Sequence, residues 1–192
     1  MGKRRIAITG GIGSGKSYVC QLLGARGIQV YDCDAAAKQL MRTSRPLMDS
    51  LRQLVGSGVY DAGGRLQKRV LAEFLLASEE NKRAVNDIVH PAVALDFEAS
   101  GLEWLESAIL FDSGFDRRVS FDSIVCVAAP LAVRIRRVME RDHISLAQAL
   151  QWIHVQQPQR EVISRSSHVV CNDGRSSLDS QLDLLLRAVG LA

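Results

Sequence analysis

The sequence is poor in the features that mark disulfide-stapled or membrane-spanning proteins. Its cysteines lie far apart and form no C-x-x-C pair, which argues against a disulfide framework and against a zinc site. No apolar run reaches bilayer-spanning length, and the run after Arg5 stops at Thr9-Gly10, which is too short for a secretory signal. We therefore expect a cytoplasmic protein with no membrane partner. The cysteines are Cys20, Cys33, Cys126 and Cys171.

An excess of charge of one sign is also lacking. Lysine and arginine number 24 against 21 acidic residues, which gives a net charge of +3. This charge does not by itself indicate a nucleic-acid partner, and we expect no such partner. Aromatic residues are only 5%, whereas 47% hydrophobic and 23% charged residues are typical of a globular domain. The length of 192 residues suggests a single domain, 1–192, with room for an inserted subdomain.

The most informative stretch is 10–17, Gly-Gly-Ile-Gly-Ser-Gly-Lys-Ser, which matches the pattern G-x-x-x-x-G-K-[ST]. It follows a β-branched run that predicts a buried strand and precedes a segment with helical spacing. Glycines let backbone N–H groups converge on an anion, and the following helix adds its positive end. Lys16 would contact the outer phosphates of a nucleotide, and the Ser17 hydroxyl would ligate Mg²⁺. The predicted nucleotide-binding residues are Gly11, Gly13, Ser14, Gly15, Lys16, Ser17 and Tyr18.

Two acids, Asp32 and Asp34, come directly after a short predicted strand at 28–31. Ligands bind at the carboxyl end of strands in open α/β sheets. Either acid could cap the helix that follows, and we expect one to be a cap and the other to take part in chemistry. Residues 44–101 then predict a helical insertion, with helices over 46–55, 67–77 and 79–99. His90-Pro91 should bend the third of these.

The rest of the chain returns to an alternation of strands and helices. The run 106–112 predicts a buried strand that ends in Asp112, as in a Walker B strand whose acid holds Mg²⁺, although the acid could simply end the strand. Further strands are predicted at 122–127 and 168–172. We expect a P-loop NTPase fold with a five-stranded parallel sheet flanked by helices, the substrate-binding insertion at about 44–101 and an arginine-rich helical lid at about 134–165.

The phosphate loop alone does not separate kinases from GTPases or motor ATPases. The N-K-x-D pattern for guanine is missing, because Asn81-Lys82 lacks the aspartate. A small fold with a helical insertion and a lid favours a small-molecule kinase. A nucleoside or shikimate-type kinase, and a regulatory protein that switches on nucleotide binding, stay open as alternatives.

Four motifs, in this order, resemble the dephospho-CoA kinase family. That family has T-G-G-I-G-S-G-K-S where this chain has residues 9–17, D-A-D where it has 32–34, H-P at 90–91 and R-D at 141–142. Gln156 and Asn172 also fall where the family has A-A-Q and I-D-N elements. The resemblance runs over nearly the whole chain.

The resemblance implies ATP- and Mg²⁺-dependent phosphorylation of the ribose 3′-hydroxyl of dephospho-CoA, the last step of coenzyme A biosynthesis, with no obligatory protein partner. Lys16, Asp34 and Arg141 would be catalytic, with Asp34 as the base. Asn172 would join the nucleotide-binding residues. Acceptor-binding residues would be Asp32, Arg69 and His90, and metal-binding residues Ser17 and Asp112.

This sequence departs from the family pattern at several positions. Tyr18 replaces the usual threonine, so a hydroxyl beside the α-phosphate is lost while the backbone N–H is kept. Asp112 stands for a glutamate, Cys171 replaces an aspartate, and the segment 97–106 is shorter than usual.

Overall fold

The computed structural model describes residues 4–191. Within them the chain divides into two compact units. A sheet unit comprises residues 4–31 and 102–191, and a helical unit comprises Asp32–Gly101, which contains the whole predicted insertion.

A five-stranded parallel sheet with strand order β2-β3-β1-β4-β5 forms the centre of the sheet unit. Strand β1 is central because every one of its residues is apolar or small enough to be buried on both faces. It pairs in parallel with β3 and β4. The predicted five-stranded parallel α/β sheet is therefore confirmed. The strands are β1 (Ile6–Thr9), β2 (Val30–Asp32), β3 (Trp104–Glu106), β4 (Ser123–Ala128) and β5 (His168–Cys171).

Helices connect the strands and form the whole of the helical unit apart from turns. In chain order they are α1 (Lys16–Gly24), α2 (Cys33–Thr43), α3 (Arg45–Val55), α4 (Lys68–Ala77), α5 (Glu79–Ser100), α6 (Phe115–Arg118), α7 (Leu131–Asp142), α8 (Leu146–Val155), α9 (Gln159–Ser164) and α10 (Leu178–Ala188). A 3₁₀ turn, Ser57–Val59, lies between α3 and α4. The three helices predicted in the insertion are confirmed as α3, α4 and α5. Ser145 caps α8 by accepting from the Gln148 N–H.

The core of the sheet unit packs α1 and α10 against the sheet. Its fully buried side chains include Ile8, Val19, Leu23, Val125 and Leu182. Helical spacing in α1 and α10 presents these side chains to the alternating residues of the strands. The packing fixes the start of α1 against the end of β1, where the glycine-rich loop lies.

Helix α5 continues through Pro91 as a single helix, and the bend predicted at His90-Pro91 stays a prediction. One prediction about the strands is wrong. Strand β3 ends at Glu106 instead of beginning there, and residues 108–114 form turns in which Leu110 and Phe111 are buried. A short apolar run such as 108–111 is compatible with a strand or with helical turns, and periodicity alone does not decide between them.

Between residues 4 and 191, no helix combines the length and the apolar character that crossing a bilayer requires.

Candidate active site

The loop between β1 and α1 has the backbone of an anion site. Gly13 and Gly15 adopt φ angles of +77° and +85°, which L side chains rarely adopt. A Cβ on Gly13 would lie 2.6 Å from the backbone oxygen of Arg134, and one on Gly15 would lie 2.1 Å from Nδ2 of Asn172. Glycine is therefore required at both positions by the backbone angle and by the close approach of neighbouring elements.

The start of α1 suits a phosphate group. Gly15 is its N-cap, no side chain caps it, and its first turn carries no acid. The N–H groups of a first helical turn have no partner inside the helix, and the helix dipole favours negative charge there. Ser14 adds a buried hydroxyl oxygen without a hydrogen-bond partner. The donor set at this point fits a nucleotide phosphate chain.

Lys16 lies at this helix start and forms an ion pair with Glu106, the last residue of β3. Only 10% of the Lys16 side chain and 14% of the Glu106 side chain are exposed. Glu106 is brought there by the register of the sheet, which places it opposite Ile8, two residues before the loop. The cation that would meet the outer phosphates is therefore held by a carboxylate at the same sheet edge.

Arg137 and Asn172 hold the loop from the side of α7 and β5. Nδ2 of Asn172 donates to the backbone oxygen of Ser14 at 2.9 Å, and Asn172 is only 6% exposed. Nη2 of Arg137 donates to Oδ1 of Asn172, and Nη1 donates to the backbone oxygens of Ser14 and Asn172, all between 3.1 and 3.3 Å. These bonds tie three chain segments together around the loop.

A cavity of about 540 Å³ opens beside the same loop. This volume falls within the usual range for small-molecule sites. An apolar wall of Tyr18, Leu22 and Leu178 faces polar groups, which is a suitable combination for a flat heteroaromatic ring. The polar residues that line the cavity are Arg137, Asn172, Ser176, Ser177 and Asp179.

Asp112 is not at a strand end, which corrects the prediction that it ends a Walker B strand. It lies in the turns after β3, where it accepts a hydrogen bond from the N–H of Gln157 and faces Arg165. Partial burial raises the pKa of Asp112, and those two contacts act in the opposite direction. Arg165 also stacks on Phe111 and pairs with Asp116 at 2.8 Å, so this region is held by local contacts.

In the helical unit the two predicted acids have different contacts. Oδ1 of Asp32 accepts from the N–H groups of Asp34 and Ala35 at 2.9 and 3.0 Å and caps α2. The Asp34 carboxylate points outward, is 79% exposed and pairs with Lys38. The expectation that one of the two acids is a helix cap is confirmed, and the cap is Asp32.

The other predicted residues have local contacts. Arg69 is 88% exposed and lies 3.4 Å from Glu73. His90 is partly buried within α5. Arg141 is 62% exposed and pairs with the neighbouring Asp142 at 2.7 Å. The arginines that contact the phosphate loop are instead Arg134 and Arg137.

Sequence reasoning missed the position of Glu106 at the strand end. A usable signal was present, because Trp104 and Leu105 are apolar and Glu106 is the first acid after them. Burial raises the pKa of the Cys126 thiol to about 11. Residues 4–191 also contain no group of three or more histidine, cysteine or acidic residues placed to hold a metal.

Comparison with known proteins places this site in a family. The family model described as dephospho-CoA kinase matches residues 4–177. A dephospho-CoA kinase of Bacteroides fragilis is 41% identical over 185 residues, which are 93% of this chain and 89% of that protein. That of Thermus thermophilus is 38% identical over 190 residues, 96% of this chain and 89% of that protein.

Solved structures share the fold of this chain. A crystal structure of a Thermus thermophilus protein matches with a TM-score of 0.82 and 33% identity over 100% of both chains. A dephospho-CoA kinase from Campylobacter jejuni, at 15% identity and a TM-score of 0.67 over 96% of both chains, shares the fold. A shikimate kinase from Acinetobacter baumannii also shares it, with a TM-score of 0.56 and 14% identity over 97% of this chain and 93% of its own. The chain belongs to the dephospho-CoA kinase family, the nucleotide-dependent kinases of the final step of coenzyme A biosynthesis.

Proposed function

We propose that this chain transfers the γ-phosphoryl group of ATP to the ribose 3′-hydroxyl of dephospho-CoA, giving CoA and ADP. The observation that carries the proposal is the phosphate loop, with Lys16 at the open start of α1, in a chain that matches the family over residues 4–177. A shikimate-type or nucleoside kinase shares the fold, and the assay described below discriminates among these acceptors.

In the proposed reaction the acceptor oxygen attacks the γ-phosphorus. The bond between that phosphorus and the bridging oxygen of ADP breaks, and the hydroxyl proton passes to the carboxylate of Asp34. Lys16 leaves Glu106 to neutralise charge on the transferring group. Because the transition state is loose, positioning and charge stabilisation supply most of the rate.

Mg²⁺ belongs to the proposal as the ion that would neutralise the charge of the outer phosphates. The Ser17 hydroxyl and the Glu106 carboxylate would hold it. Both are hard oxygen donors next to the phosphate loop, which is the ligand type that Mg²⁺ prefers. Glu106 replaces Asp112 in this role because it ends the strand beside β1 and lies against Lys16.

The cavity beside the loop is our candidate for the nucleotide base. Its Tyr18 ring and Leu178 would cover the faces of the base, and Asn172 and the serines would meet its polar edge. Tyr18 thus contributes its backbone N–H to the α-phosphate and, in place of the family's threonine, an aromatic ring to the base.

The acceptor side of the proposal rests on the family resemblance. Asp32, Arg69 and His90 would contact dephospho-CoA, with the insertion at 44–101 as substrate subdomain and the segment 134–165, including Arg141, as lid. No nucleic-acid, membrane or obligatory protein partner is part of the proposal. We also place the reaction in the cytoplasm, where thiols such as Cys33 are kept reduced.

The test is a coupled ADP-release assay with the purified full-length chain. Dephospho-CoA, adenosine, shikimate and no acceptor are compared, with CoA, whose 3′-position is already phosphorylated, as the matched negative control. We expect ADP release to depend on dephospho-CoA, and mass spectrometry should show CoA as product. Preferential turnover with another acceptor, or nucleotide binding without turnover, would disprove the proposal.

A further inference from the structure

The peptide groups on both sides of Ile12, at the tip of the phosphate loop, are held by side chains from outside the loop. Oε1 of Gln156 accepts from the Ile12 N–H at 2.7 Å. Nε of Arg134 donates to the Ile12 carbonyl oxygen at 2.9 Å. Arg134 comes from the first half of α7, and Gln156 follows the last residue of α8.

The two side chains meet at the same face of the loop. A Cβ added to Gly11 would lie 2.5 Å from Nη2 of Arg134 and 3.0 Å from Oε1 of Gln156. A side chain at position 11 would therefore displace the ends of this pair. The pair is built into the fold, because Arg134 is only 5% exposed.

Burial of a guanidinium is costly, and here it lowers the pKa of Arg134. An apolar side chain could fill the same space without that cost. An arginine at this position adds a hydrogen bond of fixed direction to the Ile12 carbonyl oxygen, which an apolar side chain could not form. The contact that the structure gives this guanidinium is with the loop backbone.

A loop that binds phosphate through its backbone depends on the direction of each N–H group. Oε1 of Gln156 accepts from the Ile12 N–H, and the Gly11 carbonyl oxygen accepts from the Ser14 N–H at 3.0 Å. The nucleotide would then meet the N–H groups in the first turn of α1, which have no partner inside the helix. A rotation of the peptide groups that flank Ile12 would propagate through Gly13 and misdirect the groups that follow. Misplacement of about 1 Å can lower a rate by about 10²-fold.

We propose that Arg134 and Gln156 are positioning residues that hold the two peptide groups flanking Ile12 and so set the transfer-competent shape of the phosphate loop. The inference rests on the proposed function for its reaction, and it assigns to two residues of the predicted lid a role that does not involve lid movement.

The test uses four variants and two controls in the full-length chain. Arg134→Met and Gln156→Leu remove the two bonds, their double variant removes both, and Gln156→Glu keeps an acceptor for the Ile12 N–H. The matched controls are Arg136→Met, an arginine on α7 that is 67% exposed, and Gln151→Leu, an exposed glutamine on α8. For each we would measure kcat, both KM values, the Kd for ATP by calorimetry and Tm.

We expect kcat to fall by about 10- to 10²-fold in Arg134→Met and Gln156→Leu, with the KM for dephospho-CoA unchanged. The Kd for ATP should rise by less than about 5-fold. The double variant should lose less than the product of the single losses, because the two bonds hold the adjacent peptide groups that flank Ile12. Gln156→Glu should keep most of kcat, and both controls should match the wild type.

Wild-type kcat in both single variants would overturn the inference, as would a loss confined to ATP affinity or multiplicative losses in the double variant. If Arg134→Met does not fold, the contrast between Gln156→Leu and Gln156→Glu decides alone. A wild-type chain that does not phosphorylate dephospho-CoA refutes the proposed function. In that case the role of Arg134 and Gln156 is tested by the rate of ATP hydrolysis without an acceptor, which depends on the phosphate loop and not on the acceptor site.

Discussion

The phosphate side and the acceptor side of the proposed reaction are built differently. Lys16 and Asn172 are at most 9% exposed, and hydrogen bonds from several elements fix the loop around them. In the helical unit the side chains of Asp34 and Arg69 are 79% and 88% exposed, and each pairs with a charge one turn along its own helix. Exposed pairs of this kind contribute only about 0.3–0.5 kcal/mol.

This difference has a functional consequence. The phosphate loop is preorganised before any nucleotide arrives, so its residues should affect stability as well as rate. The acceptor-side charges can exchange their weak local partners for a substrate at little cost. Their substitution should therefore change transfer without changing the fold.

The largest effect is expected at Asp34. Asp34→Asn removes the proposed base and should lower single-turnover transfer by about 10²- to 10⁴-fold, with ATP affinity and Tm near wild type. Asp49→Asn is the matched control, since Asp49 is also an exposed acid of this unit and pairs with Arg52 on its own helix. If Asp32→Asn is the inactive enzyme and Asp34→Asn only binds acceptor weakly, the assignment of the base is wrong.

Lys16→Ala should lower kcat/KM by at least about 10²-fold, because a charge-assisted contact to the phosphoryl group is lost. It should also lower Tm, because it leaves the Glu106 carboxylate, 14% exposed, without its partner. The added change Glu106→Gln should recover much of the Tm and none of the transfer. Near-normal turnover in Lys16→Ala would show that the loop is not the phosphate site.

Much of the fold could be predicted because each local signal agrees with the global structure. The strand at β1, the glycine turn and the helix at α1 have sequence patterns with one interpretation each, and Ser145 and Pro130 mark helix starts in the usual way. The three helices of the insertion follow from their periodicity. These elements depend on short-range chemistry that the sequence displays.

The errors lie where long-range contacts decide. The run 108–111 is apolar enough for a strand, but pairing with β1 is already provided by Trp104–Glu106, so the run folds into turns. Likewise, spacing places Arg134, Arg137 and Arg141 on one face of α7, yet only the first two reach the loop. Which arginine contacts the loop depends on where the helix crosses it, and the sequence contains no local sign of that.

The strand correction leads to a test on the phosphate side. Glu106→Gln should raise the Mg²⁺ concentration for half-maximal rate by about 10-fold, as expected for a group that binds the metal or orients its water. Asp112→Asn should leave that concentration unchanged, because the Asp112 carboxylate contacts Gln157 and Arg165. A Mg²⁺ titration of both variants at saturating ATP decides the assignment. The reverse pattern would return the metal role to Asp112.

The smallest effect is expected at Asp32, whose carboxylate caps α2. Asp32→Ala should lower the free energy of unfolding by about 1 kcal/mol, or Tm by about 2–4 °C, whereas asparagine caps nearly as well and should preserve both. Ser78→Ala is the matched control, because Ser78 caps α5 by accepting from the Asn81 N–H at 3.1 Å.

Comparison of these variants in thermal unfolding and in transfer separates the two roles of Asp32. If Asp32 acts only as a helix cap, Asp32→Ala and Ser78→Ala should lower the free energy of unfolding by similar amounts. Asp32→Asn should then transfer phosphate at close to the wild-type rate. A contact with the acceptor predicts a raised KM for dephospho-CoA in Asp32→Asn at unchanged Tm. An Asp32→Ala variant as stable as the wild type would contradict the capping role, since the bonds to the Asp34 and Ala35 N–H groups would then contribute nothing to the stability of α2.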